Sequence, residues 1–590
     1  MMMFMKTHKF WIVGILLLFG IYFITLFPSF NLALTGDDYL GLWRYQFYHN
    51  GWGGETLSNW SYFFTDYGPM DMLTAVIHHY FGFNHQVYYI FSFALRFLAA
   101  LSFLWPVYTL TKNKWASIGA AAFFAVTTTG LEATDWSFNM PSYIAIALAN
   151  TFLGCFILAR TKNHLLIWIA SAALFVLAII SQPVRTMFLP ILIVGLEIYW
   201  LITNFNLKNV GLGLLRISLY IFLLMTILKY TNYGGAVSLR GSKALSQNFQ
   251  QVIQLINDKN YKILVSPVSQ IGSIILPNDF MYQRIEVWGL PRTFRRVVGP
   301  TFVLFGLALV IFKTRQRQLV AALILAAGWT AFIWQTFMPP SNSALQPFEL
   351  LTYLLGGYIL IGLGLLWLNA KTQPSLRLGL VLSILMLVSG FILFWIRYPG
   401  QLYEITGRYL IVSGAGLAWL MAMLLAVKTK FRSKIILILS FGFMFSLHAK
   451  VSYKYLYHLS EVRGIELTTR IRNSVKPPKN FGKPNIPLVF YFEGDNPEVI
   501  YHSFIFGWPV ISHYQFNISG PWYNVAPTEN WQEVVSAYQD GESLKRFMPG
   551  PYGPVELENI YAYKLENKTL YDITDEKREL LKRIKYAESK

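Results

Sequence analysis

Residues 10–27, FWIVGILLLFGIYFITLF, lead within a short stretch into Gly36-Asp37-Asp38-Tyr39, and this passage decides the fold. An apolar run of that length matches the roughly 20 residues a helix needs to cross a hydrocarbon layer of about 30 Å. Similar runs recur at 86–110, 115–130, 141–159, 164–181, 186–203, 211–230, 299–313, 318–338, 348–370, 376–396, 409–427 and 434–449. With 54% hydrophobic, 17% aromatic and 13% charged residues, the chain is too apolar for an ordinary soluble protein. The sequence therefore predicts an α-helical polytopic membrane protein with about 13 transmembrane helices and a C-terminal extracytoplasmic α/β domain.

The net charge of +19 is distributed as in a membrane protein and not as in a nucleic-acid binder. Sixteen Lys and Arg fall in the loops on one side of the runs, among them Lys6, Lys112, Lys162, Lys371 and Arg377. The opposite short loops hold four: Arg44, Arg185, Arg397 and Arg408. That asymmetry predicts an inside N-terminus, and an odd number of crossings puts the C-terminus outside. Lys6 and Lys9 before the first run also fit a signal peptide, but the run is long for one and no clear small-residue cleavage site follows, so a retained anchor is expected. The single cysteine, Cys155, excludes an intrachain disulfide, so the tail must be held by its own core. Its absence of disulfides favours a bacterial cytoplasmic (inner) membrane over an endoplasmic reticulum membrane.

The expected organisation is a membrane domain over 1–449, with external loops at 28–85 and 231–298, and an α/β domain over 450–590. In the first loop Leu40, Trp43 and Phe47 recur at helical spacing, as in a helix lying at the membrane interface. Phe249, Val252, Ile253 and Ile256 form a comparable stripe in the second. In the tail, 486–492 reads as a buried strand and Asn496-Pro497-Glu498 as a helix start. A hairpin is expected across Glu566-Asn567-Lys568, and a charged amphipathic helix from Asp575 onward.

The residues most able to carry chemistry are charged groups at the outer rim. Asp37 and Asp38 are adjacent carboxylates near a low-dielectric boundary, where double ionisation is costly and a cation, metal or shared proton relieves it. The alternative is that one of them caps the helix that follows. Glu132 and Asp135, at i and i+3, share a helical face or else belong to a solvated loop. Arg292, Arg295, Arg296 and Arg408, with Arg185 and Arg397, suit either a phosphate clamp or lipid-headgroup anchoring. Arg96, Glu197 and Glu349 lie in or near apolar spans, where an ionisable group is a functional candidate unless it snorkels.

This arrangement resembles the GT-C class of integral-membrane glycosyltransferases, which use polyprenyl-phosphate-linked sugars. The resemblance spans the topology and rests on two short motifs. Asp37-Asp38-Tyr39 is similar to the acidic pair plus aromatic residue of protein mannosyltransferases and aminoarabinose transferases. Gly407-Arg408-Tyr409-Leu410 is similar to a late Arg-Tyr-Leu stretch of those families, although Ile411-Val412 follows without the expected proline. The resemblance implies transfer of a hexosyl or pentosyl group, with inversion, from a polyprenyl-phosphate sugar donor to a glycan, lipid or protein acceptor at the outer face. It makes Asp37 or Asp38 the base and Arg408 with the Arg292/Arg295/Arg296 cluster the phosphate ligands. Glu132, Asp135 and Tyr409 would contact substrate. A divalent Mg²⁺ or Mn²⁺ held by these carboxylates is left open, as is stacking of Trp43, Trp60 or Trp136 on sugar. A transporter or flippase of lipid-linked glycans is the alternative, although no acidic relay or paired half-helices are evident.

Overall fold

The computed structural model describes residues 2–588 apart from 49–62, 65–66, 204, 231–249, 259, 261, 278–315, 338–346, 398–403, 430, 484–485, 518–523 and 547–552. Among the described residues, eight helices are long and apolar enough to cross a membrane, including Lys9–Asn31, His85–Thr111, Pro374–Ile392 and Lys434–Val462. Four further expected spans are shorter apolar helices: Lys114–Val126, Leu165–Ser181, Phe188–Thr203 and Val320–Thr336. The span expected at 299–313 lies outside the described residues.

Two features add to the expected organisation. Within 231–298, Lys262–Ile275 is an apolar helix packed on Pro347–Asn369, with Ser269 and Thr352 sharing a 2.7 Å hydrogen bond. The last span also runs past 449, as one helix from Phe431 to Val462. Beyond residue 449 this helix carries Lys450, Lys454 and His458, so its hydropathy drops. Val451, Leu456, Leu459 and Val462 nevertheless keep one face buried, and that stripe sustains the helix.

The tail contains a four-stranded sheet of order β2-β1-β3-β4, with β1 Leu488–Gly494, β2 Val525–Thr528, β3 Ile560–Glu566 and β4 Thr569–Asp572. β1 is parallel to β2 and β3, and β4 returns antiparallel through the tight turn at Asn567-Lys568. Both turn residues have positive φ, as a two-residue hairpin of matching twist requires. The helix Thr574–Glu588 follows as expected.

Two chain exits meet above the membrane domain. Ala33 N–H donates to Arg463 C=O at 2.8 Å, next to an antiparallel bridge between Leu32 and Gly464. The buried Arg472 donates to Leu34 C=O at 3.0 Å and to Ser503 C=O at 3.1 Å. These bonds tie the segment leading to Asp37 to the first turns of the tail. The helix Gly36–Trp43 consequently does not lie free at the interface: Tyr39, Leu42 and Trp43 are buried, packed by Gly68–Phe81 and by the tail helix Trp508–Gln515.

Candidate active site

The acidic pair divides its labour because a helix begins at Gly36. Asp38 sits at the third helical position, and its Oδ2 accepts the Thr35 N–H at 2.9 Å, as in a capping box. Its Oδ1 accepts from Ser137 Oγ and from Phe138 N–H, each at 2.8 Å. The side chain is buried, and both oxygens are committed to joining the helix start to the 137–138 turn. Asp38 thus takes the capping role left open by the sequence.

Asp37, one position earlier, points elsewhere. It lines a cavity of about 250 Å³ with Gly36, Leu40, Phe506, Gly507 and Pro527, among others, so one wall comes from the membrane domain and the other from the tail. The two walls meet backbone to backbone. Gly507 has φ +93°, and a Cβ there would stand 2.2 Å from Gly36 Cα. Burial raises the Asp37 pKa, opposed first by Arg408 and then by Arg44.

Arg408 bridges the two acidic groups named from sequence. One Nη lies 3.7 Å from Asp37 Oδ2 and the other 3.7 Å from Glu132 Oε2, which also accepts the Arg408 N–H at 3.1 Å. The guanidinium lies 4.0 Å from the centre of the Trp136 ring, which in turn stacks on Phe506 of the tail. This register is set by backbone pairing: Gly130 N–H and Glu132 N–H donate to Ile405 and Thr406 C=O at 2.9 Å. Gly130, at φ +76°, comes so close that a Cβ would meet Ile411 Cα at 2.5 Å. From beneath, buried Arg96 donates to Ala125 C=O, Thr127 C=O and Thr134 Oγ1, clamping the same loop.

Tyr409 lies between two guanidinium groups, with Arg185 4.9 Å and Arg408 5.1 Å from its ring centre. Arg185 is buried, and its Nε and Nη1 find no hydrogen-bond partner among the described residues. Burial and the neighbouring Arg408 lower its pKa to about 10 despite Tyr409 and Glu132. A buried guanidinium with unused donors can receive an anion.

Asp135 has partners of its own. Its Oδ2 accepts from Tyr455 at 3.3 Å, Oδ1 has no hydrogen-bond partner among the described residues, and Arg463 holds its backbone carbonyl. Burial pushes its pKa up to about 7 against the pull of Arg463. Asp71, not singled out by sequence, is fully buried and takes both ends of Arg44 at 3.0 and 2.8 Å. Of the intramembrane acids, Glu197 is paired with Arg216 at 2.7 Å and Glu349 with Lys262 at 3.2 Å. Trp43 is buried, while Trp60, Arg292, Arg295 and Arg296 lie outside the described residues.

The carboxylates do not fit a shared Mg²⁺ or Mn²⁺ site. Asp38 is taken up by N–H and O–H donors, Asp135 faces Arg463, and the Arg408 guanidinium stands between Asp37 and Glu132. Among the described residues no group of three or more His, Cys, Asp or Glu is placed to hold a metal.

No family model and no curated protein matches this chain. Its neighbours among solved structures are GT-C glycosyltransferases. The archaeal oligosaccharyltransferase AglB from Archaeoglobus fulgidus, in complex with an inhibitory peptide and a dolichol-phosphate, is 14% identical with a TM-score of 0.43, over 94% of this chain and 69% of that one. ArnT from Cupriavidus metallidurans, bound to undecaprenyl phosphate, is 13% identical with a TM-score of 0.31, over 90% of this chain and 92% of that one. At such identities and scores the functional reading rests on the side chains around Asp37.

Proposed function

We propose that this chain is an integral-membrane glycosyltransferase that moves a hexosyl or pentosyl group from a polyprenyl-phosphate donor to an acceptor hydroxyl. The acceptor occupies the cavity between Gly36–Leu40 and the tail, and Asp37 takes its proton as the oxygen attacks the anomeric carbon. The bond from that carbon to the phosphate oxygen breaks, and the departing lipid phosphate is received by Arg408, with Arg185 behind Tyr409. In-line displacement inverts the configuration. The observation that carries this reading is the 3.7 Å pairing of a half-buried, cavity-lining carboxylate with a guanidinium that also faces Glu132.

The pairing gives the base a load-dependent strength. Burial raises the Asp37 pKa and the charge of Arg408 opposes that rise. An arriving phosphate draws on the same positive charge, so Asp37 becomes more basic when donor is present. No metal is assigned a step. The loop charges favour site and tail on the outer side, and the lack of disulfides favours a bacterial inner membrane. A glycan, lipid or protein acceptor is compatible with the apolar lining.

The test is transfer of labelled sugar from a polyprenyl-phosphate donor by the full chain in liposomes, with and without a chelator. Asp37→Asn should lose at least about 10²-fold in transfer. An Asp37→Asn variant that transfers normally overturns the assignment, and translocation of intact donor without bond cleavage would favour the flippase alternative.

A further inference from the structure

The far ends of the helices that frame the active site enclose a second cavity. Leu104–Thr111, Pro141–Lys162 and Phe188–Thr203 end there, and Pro374–Arg397 begins there. Pro141–Lys162 starts beside the Glu132–Asn139 turns, so its other end lies on the opposite membrane face from Asp37. The cavity measures about 650 Å³, within the range of roughly 300–1,000 Å³ typical of ligand pockets. Lys112, Lys162, Lys371 and Arg377 line it together with hydroxyls such as Thr161 and Ser375, and no carboxylate does. The nearby Glu197 does not neutralise it, being bound through both oxygens by Arg216.

Local preferences explain only part of this convergence. Lys112 and Lys162 sit where helices end, and cations there complement the helix dipole. Arg377 sits in the first turn of Pro374–Arg397, where the dipole disfavours a cation and no acid occupies the first turn, while Lys371 lies in the turn Ala370–Thr372 just past the end of Pro347–Asn369. Arg377 is held over the Trp367 ring at 3.9 Å, and its buried Nε has no hydrogen-bond partner among the described residues. Four cations gathered around one space, one of them placed against the local field and left with an unused buried donor, fit an anion supplied from outside the chain. Leu110, Ile157 and Leu158 on the same wall would accept hydrocarbon beside it.

We infer that this cavity binds a phosphate group at the membrane face opposite the active site. The group is carried either by a lipid headgroup or by a soluble phosphate compound. The test uses the full chain in detergent, titrated separately with phosphatidic acid, phosphatidylcholine and inorganic pyrophosphate, with bound stoichiometry read by native mass spectrometry. The comparison is the double variant Lys162→Gln/Lys371→Gln, at two exposed side chains. Phosphatidic acid should bind more tightly than phosphatidylcholine, and the double variant should weaken that binding about tenfold or more. Competing pyrophosphate with the same variant dependence would assign the soluble source. Phosphatidic acid and pyrophosphate binding that the variant leaves unchanged, or no binding of either, would overturn the inference. Ser375→Ala/Lys112→Gln provides an independent second variant. This outcome is separable from the active-site reading, because neither variant touches Asp37 or Arg408.

Discussion

Replacing each member of the acidic pair separately by Asn should split stability from catalysis. Asp38 makes three charge-assisted hydrogen bonds, at 2.9, 2.8 and 2.8 Å, from groups on two segments. Asn offers one carbonyl oxygen, so either Thr35 N–H or the Ser137/Phe138 pair loses its acceptor and meets an NH₂ group instead. Thr35 is fully buried, and an unsatisfied buried N–H costs about 1–3 kcal/mol. Converting the remaining bonds from charged to neutral costs about 0.5–1.5 kcal/mol each. Relief of a desolvated carboxylate offsets part of this, leaving a net loss of about 2–4 kcal/mol for Asp38→Asn. Among the described residues Asp37 has one ion pair, at 3.7 Å with Arg408, both side chains being 20–25% exposed, and Asp37→Asn should cost less than about 1 kcal/mol. Thermal unfolding of the purified chain in detergent, followed by tryptophan fluorescence, measures the first effect, and sugar transfer in liposomes measures the second. A stable Asp38→Asn variant without transfer, beside an Asp37→Asn variant with normal transfer, would reverse the two roles.

Arg408→Gln removes the charge that lowers the Asp37 pKa, so the acid limb of kcat/KM should move to higher pH, while the rate falls about 10²–10³-fold; an unmoved acid limb contradicts the coupling. Asp135, with a pKa of about 7 against roughly 3.9 unfolded, contributes stability that is present below about pH 4 and lost as pH rises through about 7. Asp135→Asn should therefore gain on the parent in unfolding temperature between pH 5 and pH 8, and a constant difference would refute the sign. Gly507→Ala combines a strained φ with a 2.2 Å approach to Gly36, so it should push the walls apart and reduce transfer at least tenfold while the tail sheet persists by circular dichroism.

The sequence exposed what is written in short-range pattern. The apolar runs, the strand at Leu488, the Asn496 cap and the Asn567-Lys568 turn all carry their cause within a few residues. β2 escaped notice because it is four residues long and contains Pro527, which only an edge strand tolerates. The helix Lys262–Ile275 was hidden by Pro267 and by Ser266, Ser269, Gln270 and Ser273, whose polarity is satisfied within and against neighbouring helices. At the site, carboxylate and arginine identities were legible, but their division was not. Which acid caps and which faces a cavity depends on Ser137 and Phe138, about a hundred residues away. Asp71, Arg463 and Arg472 likewise gain meaning only through partners distant in the chain.

The contact between Gly36 and Gly507 has a consequence for how such a chain can change its substrates. On the proposed reading, one half of the mould around the attacking hydroxyl is the helix Gly36–Trp43 and the other is the sheet-bearing tail. Altering residues near Val525 or Pro527 would then reshape the receiving half while leaving Arg408 and Arg185 untouched. Acceptor preference can thus diverge between descendants of one chain without disturbing the chemistry they share.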